Sequence, residues 1–277
     1  AIAELLAQRI DAMKYWVAGF GVDGYRCDVA GKVPTDFWVR AHAKLDEVKD
    51  VFMLAEDGEP ELLIEAFDMN YAWEYAHIIR EIAKGAMTFD RLDSLLAEDA
   101  KKFPENSYRM YFTSNHDENS WNGTDIEMYG DNFQNFAVLS STIDGMPLVY
   151  SGQEAVLDKQ LLFFEKDEIE WKDYALVDFY TDLLALNKRN EALWNGAHGA
   201  NPVRISSPEG TYAYQRNKDD FGAYVGLNNT TMTQELSFPL EAGTTYKVYG
   251  MDTVEYEANG NDVMSVPANS WVILSTH

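Results

Sequence analysis

Apolar residues recur at helical spacing at the start of the chain, where Ile2, Leu5, Leu6, Ile10, Met13, Trp16 and Val17 fall on one stripe over residues 2 to 17. That stripe predicts an amphipathic helix packed against a core. Short apolar runs then alternate with helical patterns. A strand is expected at 24 to 29 and a helix from Pro34 and Thr35 to about Val48, with Thr35 as its cap and Asp36 at the positive end of its dipole. A strand at 51 to 55, a short helix near 60 to 65, a strand at 66 to 69, a helix ending near Lys84 and a long helix from about Asp90 to Lys101 continue the series. Strand 109 to 114, helix 132 to 143, the apolar run MPLVYSG from Met146 and a helix near 174 to 189 close it. Five βα units in succession imply an α/β fold with a parallel sheet or barrel.

After Trp194 the period changes. TYAYQRN, FGAYVGLNN, TQELSFPL, TYKVYG and SWVILST are short stretches of alternating character separated by Asp, Asn and Gly turns, the pattern of a small antiparallel β domain. The expected division is an α/β domain over 1 to 194 and an antiparallel β-sandwich over 195 to 277, joined at Asn195-Gly196.

Composition narrows the function classes. With 22 basic residues against 46 acidic ones and a net charge of −24, the chain is not built for nucleic acid, which draws on clustered Lys and Arg. A neutral polymer is not repelled. Seven Trp, sixteen Tyr and fourteen Phe exceed what a core alone needs and leave aromatic faces for a ligand. Cys27 is the single cysteine, so there is no internal disulfide framework, and neither zinc-ligand spacing nor an apolar run long enough for a membrane span is present. Ala1 already lies within the first helical pattern, so an upstream signal would precede this sequence.

Three segments each place a carboxylate at the end of an apolar run, where a parallel strand gives way to a loop: GYRCDVAG around Asp28, FMLAEDGE around Glu56 and YFTSNHDENSW around Asp117. Acetal hydrolysis needs one protonated carboxyl to assist the leaving oxygen and one ionised carboxylate on the other face of the sugar. Alternation along the strand sets Arg26 and Asp28 on one side, where a guanidinium favours an ionised neighbour. Glu56 follows the apolar run Val51 to Ala55, a setting that favours a protonated carboxyl. Blander readings stand beside these: Asp28 as a loop cap, Glu56 with Asp57 and Glu59 as a solvated acidic turn, His116 with Asp117 as a structural pair. A Ser-His-Asp hydrolase would need a Gly-x-Ser-x-Gly elbow and a metallohydrolase an HExxH pair, and the sequence has neither.

Taken together, the Arg-x-Asp, Glu and His-Asp segments in this order resemble the α-amylase family of glycoside hydrolases. The resemblance covers nearly the whole chain but only part of that family's eight-stranded barrel. It implies strands four to eight, with FDMNYAW at 67 to 73 as the sixth and GMPLVYSGQE at 145 to 154 as the eighth, followed by the C-terminal β domain. The first three strands are absent, so the resemblance implies an incomplete (β/α)8 barrel whose open edges are covered by a complementary fragment or a second copy.

The same resemblance makes Asp28 the nucleophile, Glu56 the acid/base and Asp117 the stabiliser of the transition state, with Arg26 and His116 contacting the same site. Trp73, Tyr75, Trp121 and Lys32 are its candidate sugar-binding residues. The implied activity is retaining hydrolysis of α-1,4-glucan such as starch or maltodextrin by double displacement. Cyclomaltodextrinase or transglycosylase activity would use the same residues, and a noncatalytic carbohydrate-binding or assembly protein is the alternative from another class. No cofactor is required for this chemistry. Gly31-Lys32 replaces the family's Lys-His dipeptide, which leaves a structural calcium site unsupported by this chain. The family favours a secreted or periplasmic setting.

Overall fold

The computed structural model describes residues 2–171 and 173–277. Ala1 and the side chain of Ile2, the first position of the expected stripe, lie outside what is described. The chain forms two compact units, one extending to Glu74 and including Leu96–Met110, the other made of Tyr75–Leu95 and Tyr111–His277.

The first unit begins with α1 (Ile2–Phe20), β1 (Gly24–Cys27), α2 (Thr35–Asp46), β2 (Phe52–Ala55) and β3 (Met69–Tyr71). Helix α3 (Trp73–Ala83) starts in this unit, and the second half of α4 (Phe89–Lys102) returns to it before β4 (Tyr108–Tyr111). Strands β1 to β4 pair in parallel, with Arg26 opposite Leu54, Leu54 opposite Met69 and Met69 opposite Tyr108. The two-residue β5 (Met146–Pro147) belongs to the second unit.

Leu6, Ile10, Met13 and Val17 of α1 pack with Phe37, Trp38, Ala41 and Leu45 of α2 and with Cys27, Met53 and Ala55 of the strands. The expected α1 stripe is therefore narrower than its sequence pattern, because Leu5 and Trp16 are about half exposed. Thr35 is not a cap. Pro34 holds that position with no side-chain oxygen to offer, and Thr35 is the first helical residue. The strand expected at 66 to 69 begins three residues later, since the Phe67 N–H is taken by the Leu62 carbonyl in a turn.

In the second unit α5 (His116–Asn122), α6 (Asp125–Tyr129), α7 (Phe133–Thr142) and α8 (Val177–Arg189) precede eight strands. Strands β6 (Val203–Ile205), β7 (Thr211–Lys218), β8 (Phe221–Asn228), β10 (Thr245–Tyr249), β11 (Glu255–Glu257) and β13 (Ser270–Ser275) form an antiparallel sheet ordered β11-β10-β13-β8-β7-β6. A two-stranded sheet of β9 (Gln234–Phe238) and β12 (Asp262–Val266) lies over it, with Ala213, Leu236, Phe238, Val266, Val272 and Leu274 in the shared core. The five expected strands of this region are present, and β6, β11 and β12 are additional. The joint expected at Asn195-Gly196 falls inside this unit. Buried Arg216 ties residues across it by donating to the carbonyls of Thr142, Leu193 and Ala200.

Candidate active site

The first unit gathers its site where β1 and β2 end. Beyond the paired positions Cys27 and Ala55 the ladder continues, with the Glu56 N–H donating to the Cys27 carbonyl at 3.0 Å and the Ala30 N–H to the Glu56 carbonyl at 3.3 Å. Asp28 and Glu56 are thereby held side by side. The Arg26 guanidinium lies between them, donating from Nη1 to Asp28 Oδ1 at 2.6 Å and from Nη2 to Glu56 Oε1. Its Nε donates to the Tyr71 hydroxyl at 3.2 Å, which fixes the plane of the fork.

The two carboxyls sit in different surroundings, the Asp28 side chain 76% exposed and that of Glu56 12%. Burial pushes the Glu56 carboxyl above its ordinary range. The Val29 N–H and the Arg26 charge pull it back, and the adjacent Asp28, hydrogen-bonded to it, pushes it up again. The Val29 N–H reaches Glu56 Oε2 at 2.8 Å because Val29 adopts a left-handed backbone conformation, φ 46° and ψ 47°. That conformation is costly for a β-branched residue, and it stands directly after Asp28.

The crowded acids of this loop separate by role. Asp57 Oδ2 accepts from the Gly31 N–H at 3.2 Å and Oδ1 from the Glu59 N–H at 2.9 Å, so Asp57 ties the loop together while Glu56 faces the arginine. Lys32 is exposed on the short turn that follows Asp28. Trp73 is half-buried, its ring 5.2 Å from that of Tyr71. Tyr71 was not singled out in the sequence. Its signal is an aromatic at the end of the next strand, one pairing step beyond β2.

The second unit carries His116 and Asp117 in the first turn of α5, a helix, where a loop had been expected. Asn115 caps this helix, its side-chain oxygen accepting from the N–H groups of Asp117 and Glu118 at 2.9 and 2.8 Å. His116 Nε2 is 3.6 Å from Asp117 Oδ2. Glu118 is buried and paired with Arg80. Trp121 is 59% exposed. Tyr75, expected to face sugar, is instead fully buried: its ring stacks on Tyr111 with centroids 4.0 Å apart and its hydroxyl is 3.0 Å from Ser140 Oγ. The 3.6-residue period of α3 turns it inward with Ile78, Ile79 and Ile82. Among the described residues, neither unit by itself gathers three His, Cys or carboxylate side chains close enough to share a metal ion.

Residues 3–198 match the family model for the alpha-amylase catalytic domain. The chain belongs to the alpha-amylase family. Alpha-amylase MalA of Haloarcula japonica is 28% identical over 91% of this chain and 37% of its own length. A cyclomaltodextrinase of Thermoanaerobacter pseudethanolicus is 22% identical over 95% of this chain and 46% of its own length. The chain thus spans less than half of either relative. In fold it is similar to the maltogenic alpha-amylase AmyB of Thermotoga neapolitana, with TM-score 0.80 and 24% identity over 98% of this chain and 65% of that one. An alpha-amylase of Lactobacillus plantarum gives TM-score 0.79 and 22% identity over 99% of this chain and 66% of that one. These solved structures agree with an alpha-amylase-type barrel segment followed by a β domain.

Proposed function

We propose that this chain carries the nucleophile and the acid/base of a retaining α-amylase-type glycosidase that acts on α-1,4-glucan. The observation that carries the reading is the single guanidinium of Arg26 holding an exposed Asp28 beside a half-buried Glu56 whose carboxyl burial pushes above its ordinary range. Unequal environments around two adjacent carboxyls are what an acid and a nucleophile require at one pH.

Asp28 attacks the anomeric carbon as the bond to the glycosidic oxygen breaks, and Glu56 delivers its proton to that oxygen, leaving a covalent glycosyl-Asp28. Glu56, now ionised, takes a proton from water. The resulting hydroxyl bonds to the anomeric carbon and Asp28 departs as carboxylate. A sugar hydroxyl in place of water would give transglycosylation. Asp117 and His116 hold sugar hydroxyls, a role that rests on the SNHDENSW motif, and Lys32, Trp73 and Trp121 contribute sugar contacts. The remaining barrel strands come from the rest of a longer protein or from a second copy. The names of the relatives, alpha-amylase, cyclomaltodextrinase and the neopullulanase 2 of Thermoactinomyces vulgaris, support starch-like substrates, linear or cyclic.

Glu56→Gln tests the assignment. Hydrolysis of unactivated maltodextrin should fall by about 10²–10⁴, the range for a lost general acid. Glycosylation by an aryl maltoside with a good leaving group should be largely retained, with azide rescuing the second step. Equal losses on both substrates would remove Glu56 from this role. Wild-type protein that binds maltodextrin but releases no sugar from starch beyond an Asp28→Asn control would favour a noncatalytic binding protein.

A further inference from the structure

We propose that Trp121, Phe163 and Phe164 form an aromatic platform that seats an α-linked glucan chain next to the sugar ring held by Asp117. This deepens the function proposed above and rests on it. Phe163 and Phe164 come from a loop some 40 residues beyond α5, and no motif in the sequence marks them.

All three rings are open to solvent, Trp121 at 59%, Phe163 at 44% and Phe164 at 85%. They nonetheless form one cluster. The Trp121 and Phe163 centroids are 5.1 Å apart with planes at 41°, Phe163 and Phe164 are 4.8 Å apart at 76°, and Trp121 and Phe164 are 6.2 Å apart at 70°.

The loop is fastened to the helix that carries Trp121. Buried Asn119 donates to the Lys159 carbonyl at 3.2 Å and accepts from the Leu161 N–H at 2.9 Å, and the Gln160 side chain donates to the Ser120 carbonyl at 2.6 Å. Asp167 closes the loop on itself, accepting from the Leu162 N–H at 3.0 Å and pairing with Lys159. Three exposed rings are thus presented by an anchored scaffold. Ordering large apolar groups in water is unfavourable unless something covers them.

Position and chemistry identify the cover. Asp117 and Trp121 are four residues apart on α5, which sets them on one helix face with Cβ atoms about 5–6 Å apart. A glucan whose ring is held by Asp117 therefore has its neighbouring rings beside Trp121. Sugar C–H faces pack on aromatic rings, and the chain's net charge of −24 disfavours an anionic occupant over a neutral one. The rings are inclined to one another by 41° to 76° and do not share one plane. A curved α-1,4-glucan can touch all three, whereas a flat β-1,4-glucan ribbon matches coplanar rings.

Titration calorimetry with maltoheptaose and with cellohexaose tests this on the purified chain, wild type and the Phe163→Ala/Phe164→Ala double variant. The double variant should raise Kd for maltoheptaose at least tenfold with an unchanged unfolding midpoint, since Phe164 is mostly in water. Phe163→Tyr/Phe164→Tyr should restore binding, and cellohexaose should bind wild type at least tenfold more weakly. Unchanged maltoheptaose affinity in the double variant overturns the platform, as does equal affinity for cellohexaose. Absent maltoheptaose binding by the wild type, with self-association in sedimentation that the double variant abolishes, overturns it in favour of a docking face. The underlying glycosidase reading fails separately, when starch turnover survives Asp28→Asn while the platform still binds.

Discussion

Asp125 gives the sharpest quantitative test of this structure. It opens α6 as a half-buried residue, with Oδ2 accepting from Gln153 Nε2 and Oδ1 buried with no hydrogen-bond partner. Burial pushes the carboxyl up from 3.8 to about 6, with Gln153 and Thr113 offsetting part of the penalty. Below pH 3.8 the group is protonated in both folded and unfolded chains. As pH rises from there the unfolded chain ionises first, so stability falls until the folded carboxyl ionises near pH 6 and then levels off. A shift of roughly 2 units corresponds to about 3 kcal/mol.

Asp125→Asn keeps an acceptor for Gln153 and cannot ionise. The stability of Asp125→Asn relative to wild type should therefore grow by about 3 kcal/mol between pH 3.5 and pH 7, most of it between 4 and 6. Urea unfolding of both proteins at half-unit pH steps measures it. Other titrating groups with raised values, Glu56 and Asp144 among them, are common to both proteins and cancel in the difference. A pH-independent difference would show that Asp125 does not change protonation between the two states, and the argument from its buried, unpartnered oxygen would fail.

Three further outcomes follow from the site and its support. Arg26→Met removes the charge between Asp28 and Glu56, so the apparent pKa of the carboxyl pair, read by carbon-13 NMR, should rise by about 1 unit or more; no rise would mean Arg26 only packs. Val29→Gly, which tolerates φ 46°, should leave the Glu56 titration near wild type, whereas Val29→Pro removes the N–H on Oε2 and should raise it, with circular dichroism reporting whether the fold persists. Tyr75→Ala should cost about 3–5 kcal/mol in urea unfolding and Tyr75→Phe about 1, the pattern of a core residue with one hydrogen bond and not of a surface sugar contact.

Much of the first unit is legible because strand-length and helical patterns alternate along it, so Asp28 and Glu56 stand out just beyond the ends of β1 and β2. Tyr75 misleads for a related reason. An aromatic just past a strand end can face solvent or core, and only the phase of the following helix, set here by Ile78, Ile79 and Ile82, decides which. Helix α6 has a legible start that lies outside the apolar periodicity: Thr124 and Glu127 make a capping box in which each side chain accepts the other's backbone N–H, and Thr-x-x-Glu is its signature. Helix α5 is harder, since its polar sequence has no apolar period and its start depends on Asn115. Phe163 and Phe164 carry no local signal at all. Their exposure depends on hydrogen bonds to residues 40 positions away, which no periodicity encodes.

How one arginine can serve two carboxylates follows from strand register. Arg26 stands opposite Leu54, so Asp28 and Glu56 are each two residues beyond a paired position and continue the same faces of β1 and β2. A slip of one residue would reverse the side to which every side chain of a strand points and would bring Ala55 or Asp57 to the guanidinium in place of Glu56. Two features hold the register. Any Cβ at Gly24 would lie 1.9 Å from the Phe52 carbonyl oxygen, so only glycine can sit in that pairing. Across the sheet the Asp68 carboxylate accepts the Met53 N–H at 2.7 Å, pinning β2 from its other side. The glycine that opens β1 and the aspartate that precedes β3 lie away from the carboxylates, yet they determine that Glu56, and not its acidic neighbour, shares Arg26 with Asp28.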